Sequence, residues 1–293
     1  MATQIIAIAN QKGGVGKTAT AANLAASFAE IGKKTLLIDL DYQGNATSYF
    51  GLKFKAKHQD KSASAGLGDG VPLADCIMKT DSPQLDVVPG DMGLSKLSRE
   101  KILDPGAALL LKKWLDCPVA KTYDVILIDT HPSLDLLFQM AMTAAHHYVV
   151  PMFAEADPFD GLKYMFSELG QIKSGLNPSL YFLGLVITKY DDTNATHNKF
   201  LALLKKFSKS NGINICGIIP DSKAIASSSS VQKPLLWYLP NLPVTKAYLK
   251  LGKDLAKDLS VKRIGKKQKV PVIKDTPTEF MEIFGESRNA EIF

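Results

Sequence analysis

Lys12, Gly13, Gly14, Val15, Gly16, Lys17 and Thr18 stand between a short apolar run at residues 5–9 and an Ala-rich stretch, 17–31, of helix-forming composition. The glycines let such a loop curl until successive backbone N–H groups face one point, and the start of the following helix aims further N–H groups at the same place. That is a cradle for phosphate. Lys17 supplies a point charge for the β- and γ-phosphates, Thr18 offers a hydroxyl to Mg²⁺, and Ala19 completes the nucleotide-binding run. An ordinary strand-to-helix turn would explain the glycines but not a Lys-Thr pair at the helix start.

Magnesium dehydrates reluctantly and takes carboxylates, directly or through water. Asp129 closes the apolar run 125–128, the place at which phosphate-binding enzymes of this strand-loop-helix type hold their metal. Asp39 and Asp41 flank Leu40 at the end of another apolar run, 35–38, so both side chains can face the phosphate end of a sheet. One of them supports the metal beside Thr18 and Asp129, and the other orients water. Phosphoryl transfer asks a protein mainly to position reactants and stabilise charge, so a water-holding carboxylate and a lysine near the leaving oxygens are the groups to seek.

These residues must be held by a scaffold. Candidate strands lie at 5–9, 35–38, 85–89, 125–128, 147–151, 183–187 and 215–219, continuous apolar runs that alternate with helical stretches. The pattern predicts an α/β fold, a doubly wound and mostly parallel sheet of about seven strands with helices on both faces. Residues 53–70 are polar and rich in Gly and Ser, which reads as a long exposed loop. A last helix is expected over 244–259, with Val244, Tyr248, Leu251, Leu255 and Leu259 on one face and Lys246, Lys250, Lys253 and Lys257 on the other. Residues 1–260 thus form one domain, followed at 261–293 by a basic and then acidic tail that includes Lys262, Arg263 and an apolar cluster at Phe280, Met281, Ile283 and Phe284.

Composition agrees with a globular protein. Of the 293 residues 46% are hydrophobic and 22% charged, enough to bury a sizeable core and to exclude wholesale disorder. The net charge of +6 suits a polyanionic partner without requiring one. Cys76, Cys117 and Cys216 are scattered and odd in number, which argues against a disulfide framework, a zinc site or an iron-sulfur cluster and for reduced thiols in the cytoplasm. No basic leader precedes the first apolar run and no run approaches the ~18 residues of a membrane span, so neither export nor membrane insertion is expected.

The segment 4–45, with its loop at 12–18 and its second strand end at 36–45, resembles the ParA/MinD superfamily of deviant Walker A ATPases. Further matches follow in order: 123–129 with Pro132, Ser133 and Leu134; Val150 and Pro151 with Glu155; Gly161 and Leu162; 187–191; Ile219 and Pro220; Lys233 and Pro234. The resemblance spans roughly 4–260 and is nearest the short, Soj-like ParA partition ATPases, with no room before Ile5 for the helix-turn-helix domain of the long plasmid type. It implies that Lys12 reaches across an ATP-bridged homodimer to the partner's phosphates, that Asp41 activates water, and that Thr188, Lys189, Pro220 and Asp221 hold adenine. It also implies non-specific DNA as a partner, a ParB-like or other adaptor that stimulates hydrolysis, and a nucleoid-associated place in the cytoplasm.

The chain departs from that pattern in three places. Tyr42 and His131 each stand where the family usually has Pro. The arginines with which Soj-like proteins contact DNA have no counterparts, the nearest positions being Thr193, Asp221 and Ala224. The expected DNA surface therefore moves to Lys246, Lys250, Lys253, Lys257, Lys262 and Arg263, although a lysine row opposite an apolar row also describes a plain solvated face. A MinD-like organiser at a membrane surface is the competing expectation, disfavoured by Glu279, Glu282 and Glu286 within the apolar tail. A regulatory module that binds nucleotide without turnover is the third.

Overall fold

The computed structural model describes residues 2–53, 61–153, 159–260 and 270–271. Eight strands form one sheet among them: β1 Gln4–Ile8, β2 Thr35–Leu40, β3 Met78–Lys79, β4 Leu85–Val88, β5 Val125–Thr130, β6 His147–Phe153, β7 Tyr181–Tyr190 and β8 Ile215–Pro220. Their order is β3-β4-β2-β5-β1-β6-β7-β8, parallel throughout except for the β3–β4 pair. All seven expected strands are present. The eighth, β3, is a two-residue antiparallel edge too short to leave a hydrophobic period in the sequence.

The helices used below are α1 Lys17–Glu30, α2 Asn45–Ser48, α3 Ala63–Asp69, α4 Leu73–Cys76, α5 Gly93–Lys101, α6 Leu110–Leu115, α7 Leu136–Ala144, α8 Phe159–Gly175, α9 Ala195–Asn211, α10 Lys223–Ser230, α11 Leu235–Tyr238 and α12 Pro243–Ser260. Strand side chains alternate between two buried layers. Ile6, Ile8, Leu37, Val125 and Leu127 meet Leu24 and Phe28 of α1 and Tyr248, Leu251 and Leu255 of α12. Ala7, Leu36, Ile38, Ile126 and Ile128 point the other way, towards α3 to α9. Burial on both faces is why these strands read as unbroken apolar runs instead of alternating ones.

α12 begins and ends within a residue of expectation, with Val244, Tyr248, Leu251 and Leu255 buried, Leu259 half-buried, and Lys246, Lys250, Lys253 and Lys257 exposed. It lies hard against α1: a Cβ on Gly252 would come within 2.7 Å of the Ser27 Cβ. Any larger residue there must push the two helices apart. Burial of a Leu or Phe in such a layer stabilises by about 1.5–3 kcal/mol, so this contact anchors the phosphate-binding helix to the rest of the domain.

One expectation is corrected. The stretch expected as an exposed loop contains α3, whose start is capped by the Ser62 hydroxyl accepting from the Ala65 N–H at 3.2 Å. Its small residues serve packing. A Cβ on Gly66 would sit 2.0 Å from the Trp114 ring, and Trp114 in turn donates Nε1–H to the Val71 carbonyl at 2.9 Å. Residues 54–60 of that stretch lie outside the described residues.

Candidate active site

Parallel register brings the acidic residues together. Asp39 of β2 lies beside Asp129 of β5, and Asp129 beside Ile8 of β1, after which the glycine loop begins. Both aspartates continue the row of Leu37 and Leu127, so their side chains face the layer that contains α1. The carboxylates thus come to lie beneath the loop.

The loop bends at Gly14 and Gly16, with φ of 72° and 81°, the left-handed region that favours glycine. Gly16 caps α1 without a side-chain hydrogen bond, which leaves the helix's first N–H groups for an anion. Lys17 is buried, and its ammonium donates to the Lys12 carbonyl at 2.8 Å, spanning the loop. Burial lowers its pKa, opposed by Asp129 and Asp41. Asn10 braces the loop's entry, donating to the Pro151 carbonyl at 2.7 Å and accepting the Lys12 N–H at 2.9 Å. Gly13 and Gly14 are exposed, Val15 and Ala19 are buried, and Lys12 is exposed with its ammonium 5.3 Å from the Phe153 ring centroid.

The three carboxylates differ in what holds them. Asp39 is fully buried and accepts from the Thr47 hydroxyl (2.7 Å), the Thr47 N–H (2.8 Å) and the Asp41 N–H (3.1 Å). Burial still pushes its pKa up to about 6, the Thr47 bonds opposing the rise. Asp129 is also fully buried, yet neither of its carboxylate oxygens has a hydrogen-bond partner. Burial raises its pKa well above the usual carboxylate range, and the nearby Asp39 adds to the rise. Thr18 and Lys17 offset this in part, Thr18 standing close by without reaching hydrogen-bond geometry. Asp41 accepts on one oxygen from the Gln43 N–H at 2.9 Å and meets His131 Nδ1 at 3.0 Å.

An unpartnered buried carboxylate beside a threonine hydroxyl and a lysine is a site short of a cation. Among the described residues no group of three or more His, Cys, Asp or Glu is arranged to hold a metal by itself. The donor set fits Mg²⁺, which keeps waters and phosphate oxygens and needs only one or two protein ligands. Thr18 and Asp129 are its closest fit, with Asp39 behind them already bonded by Thr47.

The expected adenine segments also converge. The Thr188 hydroxyl donates to the Val15 carbonyl at 3.0 Å and lies 3.2 Å from that of Met152, tying the loop to the ends of β6 and β7. Lys189 adopts φ of 50°, uncommon for a residue with a side chain, and carries its ammonium 5.0 Å from the Phe153 centroid. Tyr190 pairs with Pro220, and Asp221 donates its N–H to the Tyr190 carbonyl at 2.8 Å. Thr188 therefore touches the loop directly, while Pro220 and Asp221 stand beside Tyr190 at the neighbouring strand end.

Two residues of the site carried no signal in the sequence. Thr47 bonds Asp39 and also accepts the Gly90 N–H at 3.0 Å. A Cβ on Gly90 would meet the Asp41 carbonyl at 2.6 Å and the Asp39 carboxyl carbon at 2.8 Å, so only glycine lets β4 end against the carboxylates. The α12 lysines stand apart on a solvent face, where Lys250 pairs with Asp254. Lys262, Arg263 and the apolar cluster of the tail lie outside the described residues.

A doubly wound sheet with a phosphate loop between β1 and α1, and acidic residues on the adjoining strand ends, defines a P-loop nucleotide-binding protein. A family model described as an AAA domain matches residues 3–182. The chain is 34% identical over 253 residues to the sporulation initiation inhibitor protein Soj of Bacillus subtilis, covering 86% of this chain and 98% of Soj. It is equally similar, 34% over 254 residues, to the chromosome partitioning protein ParA of Caulobacter vibrioides, covering 86% and 93% of the two chains. Among solved structures, a Borrelia burgdorferi plasmid partition protein bound to AMPPNP superposes with TM-score 0.74 at 29% identity, over 87% of this chain and 99% of that one. Cobyrinic acid a,c-diamide synthase of Mycobacterium smegmatis with bound ADP and magnesium gives TM-score 0.74 at 26% identity, over 93% and 100%. The chain belongs to the Soj-like branch of the ParA/MinD family of P-loop ATPases.

Proposed function

We propose that this chain is an ATP-dependent partition switch that hydrolyses ATP to ADP and phosphate. ATP with Mg²⁺ fills the loop, two chains close on the nucleotides as a homodimer, and the dimer holds non-specific DNA of the nucleoid in the cytoplasm. Turnover is slow until a ParB-like or other adaptor protein stimulates it, which releases the dimer and so moves a plasmid, a chromosome or other cargo.

The observation that carries this reading is the unpartnered Asp129 carboxylate beneath Lys17 and Thr18. Bound Mg²⁺ would neutralise charge on the β- and γ-phosphate oxygens, with Thr18 and Asp129 holding it and Asp39 in support. Lys17 and the N–H groups of the loop and α1 bind phosphate, and Thr188, Lys189, Pro220 and Asp221 frame the base. Asp41 orients the attacking water. Lys12 is exposed at the mouth, which suits a reach to the phosphates of a second chain.

Asp41→Ala tests the switch, because it removes water orientation while leaving the phosphate cradle whole. The variant is expected to bind ATP, to dimerise by light scattering and to stay on DNA in co-sedimentation while turning over poorly. A monomer with ATP, or flotation with anionic liposomes in place of DNA binding, would refute the reading.

A further inference from the structure

Tyr42 and His131, the two positions at which the chain departs from the family's prolines beside the site, are in contact. Their rings lie 4.1 Å apart between centroids with a 40° tilt, and His131 Nδ1 is 3.0 Å from the Asp41 carboxylate. A carboxylate only accepts hydrogen bonds, so Nδ1 carries the proton in this contact. Proline has no side-chain donor to offer in its place.

The contact selects between the two carboxylate oxygens. Oδ1 receives both the Gln43 N–H at 2.9 Å and His131 Nδ1, whereas Oδ2 receives neither. The His131 and Asp41 side chains are only 16% and 8% exposed, so solvent screens the pair little. Tyr42 packs against the core on one side and lies tilted against the His131 ring, which limits the rotation of the imidazole.

We infer that His131 is a positioning residue for hydrolysis, held by Tyr42, which fixes Oδ1 of Asp41 and so presents Oδ2 to the attacking water. The inference rests on the proposed role of Asp41. In-line attack depends steeply on where the water is held, and an ångström of misplacement costs on the order of a hundredfold in rate. The Gln43 N–H alone leaves the Asp41 carboxylate free to swing about its last torsion; the imidazole removes that freedom. The chain thus carries by side chains a restraint that the proline pattern does not contain.

The test uses the full chain with Mg²⁺ and saturating ATP, reading single-turnover hydrolysis, and a fluorescent ATP analogue, reading affinity. His131→Phe keeps a ring for Tyr42 but has no donor; His131→Asn keeps a donor near the position of Nδ1. His131→Phe is expected to lower the hydrolysis rate about tenfold to a hundredfold with nucleotide affinity unchanged, and His131→Asn to recover most of the loss. Combining His131→Phe with Asp41→Ala should cost no more than Asp41→Ala alone, because both act through one water. A His131→Phe rate equal to wild type, equal losses in the Phe and Asn variants, or fully additive losses would each overturn the inference while leaving Asp41 in its role. If Asp41→Ala itself turns over normally, the catalytic reading of Asp41 falls, and the inference with it.

Discussion

Asp129→Asn should stabilise the nucleotide-free protein while abolishing its response to Mg²⁺ and ATP. At neutral pH the wild-type side chain is a fully buried group whose two oxygens find no donor, and its raised pKa means that the charged form is disfavoured even with Lys17 nearby. Leaving such a group unsatisfied costs about 1–3 kcal/mol, and more when it is charged. Asparagine has nearly the same shape and remains unsatisfied, but it carries no charge, so it relieves only the part of the cost that comes from charging the group, about 1 kcal/mol. For a domain of this size that corresponds to roughly 2–4 °C in melting temperature. The sign with pH follows from the direction of the shift. A carboxyl whose folded pKa lies above its unfolded value adds no penalty in acid, destabilises increasingly as pH rises past the unfolded value, and reaches its full penalty above the folded one. Wild type without nucleotide should therefore lose stability as pH rises from about 4 towards 7, and Asp129→Asn should lose less; Asp39, whose pKa is pushed up to about 6, keeps part of the slope in both. Scanning calorimetry with EDTA, repeated with Mg²⁺ and a non-hydrolysable ATP analogue, measures both effects. The reasoning is refuted if the variant melts at or below wild type without nucleotide, or if Mg²⁺ with the analogue still stabilises it as it does wild type.

Gly90→Ala should damage stability and turnover together, since the added methyl meets backbone and carboxylate atoms at 2.6 and 2.8 Å that cannot move without shifting β2; a loss of about 1–3 kcal/mol by urea unfolding is expected, and none would refute the close-approach argument. Replacing Lys246, Lys250, Lys253 and Lys257 with Glu should remove ATP-dependent DNA binding and leave ATP-driven dimerisation intact. If four phosphates are engaged per chain, log affinity for DNA in the unmodified protein falls against log salt with a slope near about −3.6, roughly a hundredfold between about 50 and 200 mM. Unchanged affinity and slope in the variant would return the search to Lys189, Lys199 and Lys223.

The central strands were legible because a parallel sheet covered on both faces writes each strand as an apolar run, and the phosphate loop because its chemistry dictates residue types in order. The helix α3 was hidden for the opposite reason: Gly66 and its small neighbours carry the composition of a loop, and their purpose appears only with the Trp114 ring packed against them. At the candidate site, Lys17, Thr18, Asp39, Asp41 and Asp129 could be proposed one by one from their places at strand and helix ends. Their ranking could not. That Thr47 occupies Asp39 and nothing occupies Asp129 depends on how α2 and β4 arrive, as does the need for glycine at position 90. Tyr42 and His131 stood out singly in the sequence as departures from a family pattern. Their contact across 89 residues of chain is a property of the β2–β5 register alone.

That register leaves the protein little freedom to change length. The pairing of Asp39 with Asp129 and the sorting of Leu37 and Leu127 into the α1 layer are the same fact, because side chains alternate strictly along both strands. Inserting or deleting one residue inside β2 would turn Asp39 towards the opposite helices and send Leu36 and Ile38 into the layer meant for Leu37. A point substitution can disable the chemistry and leave the core standing, or thin the core and leave the chemistry. A one-residue change of length in β2 or β5 strikes both at once, whereas the loops at the strand ends can change length without disturbing either.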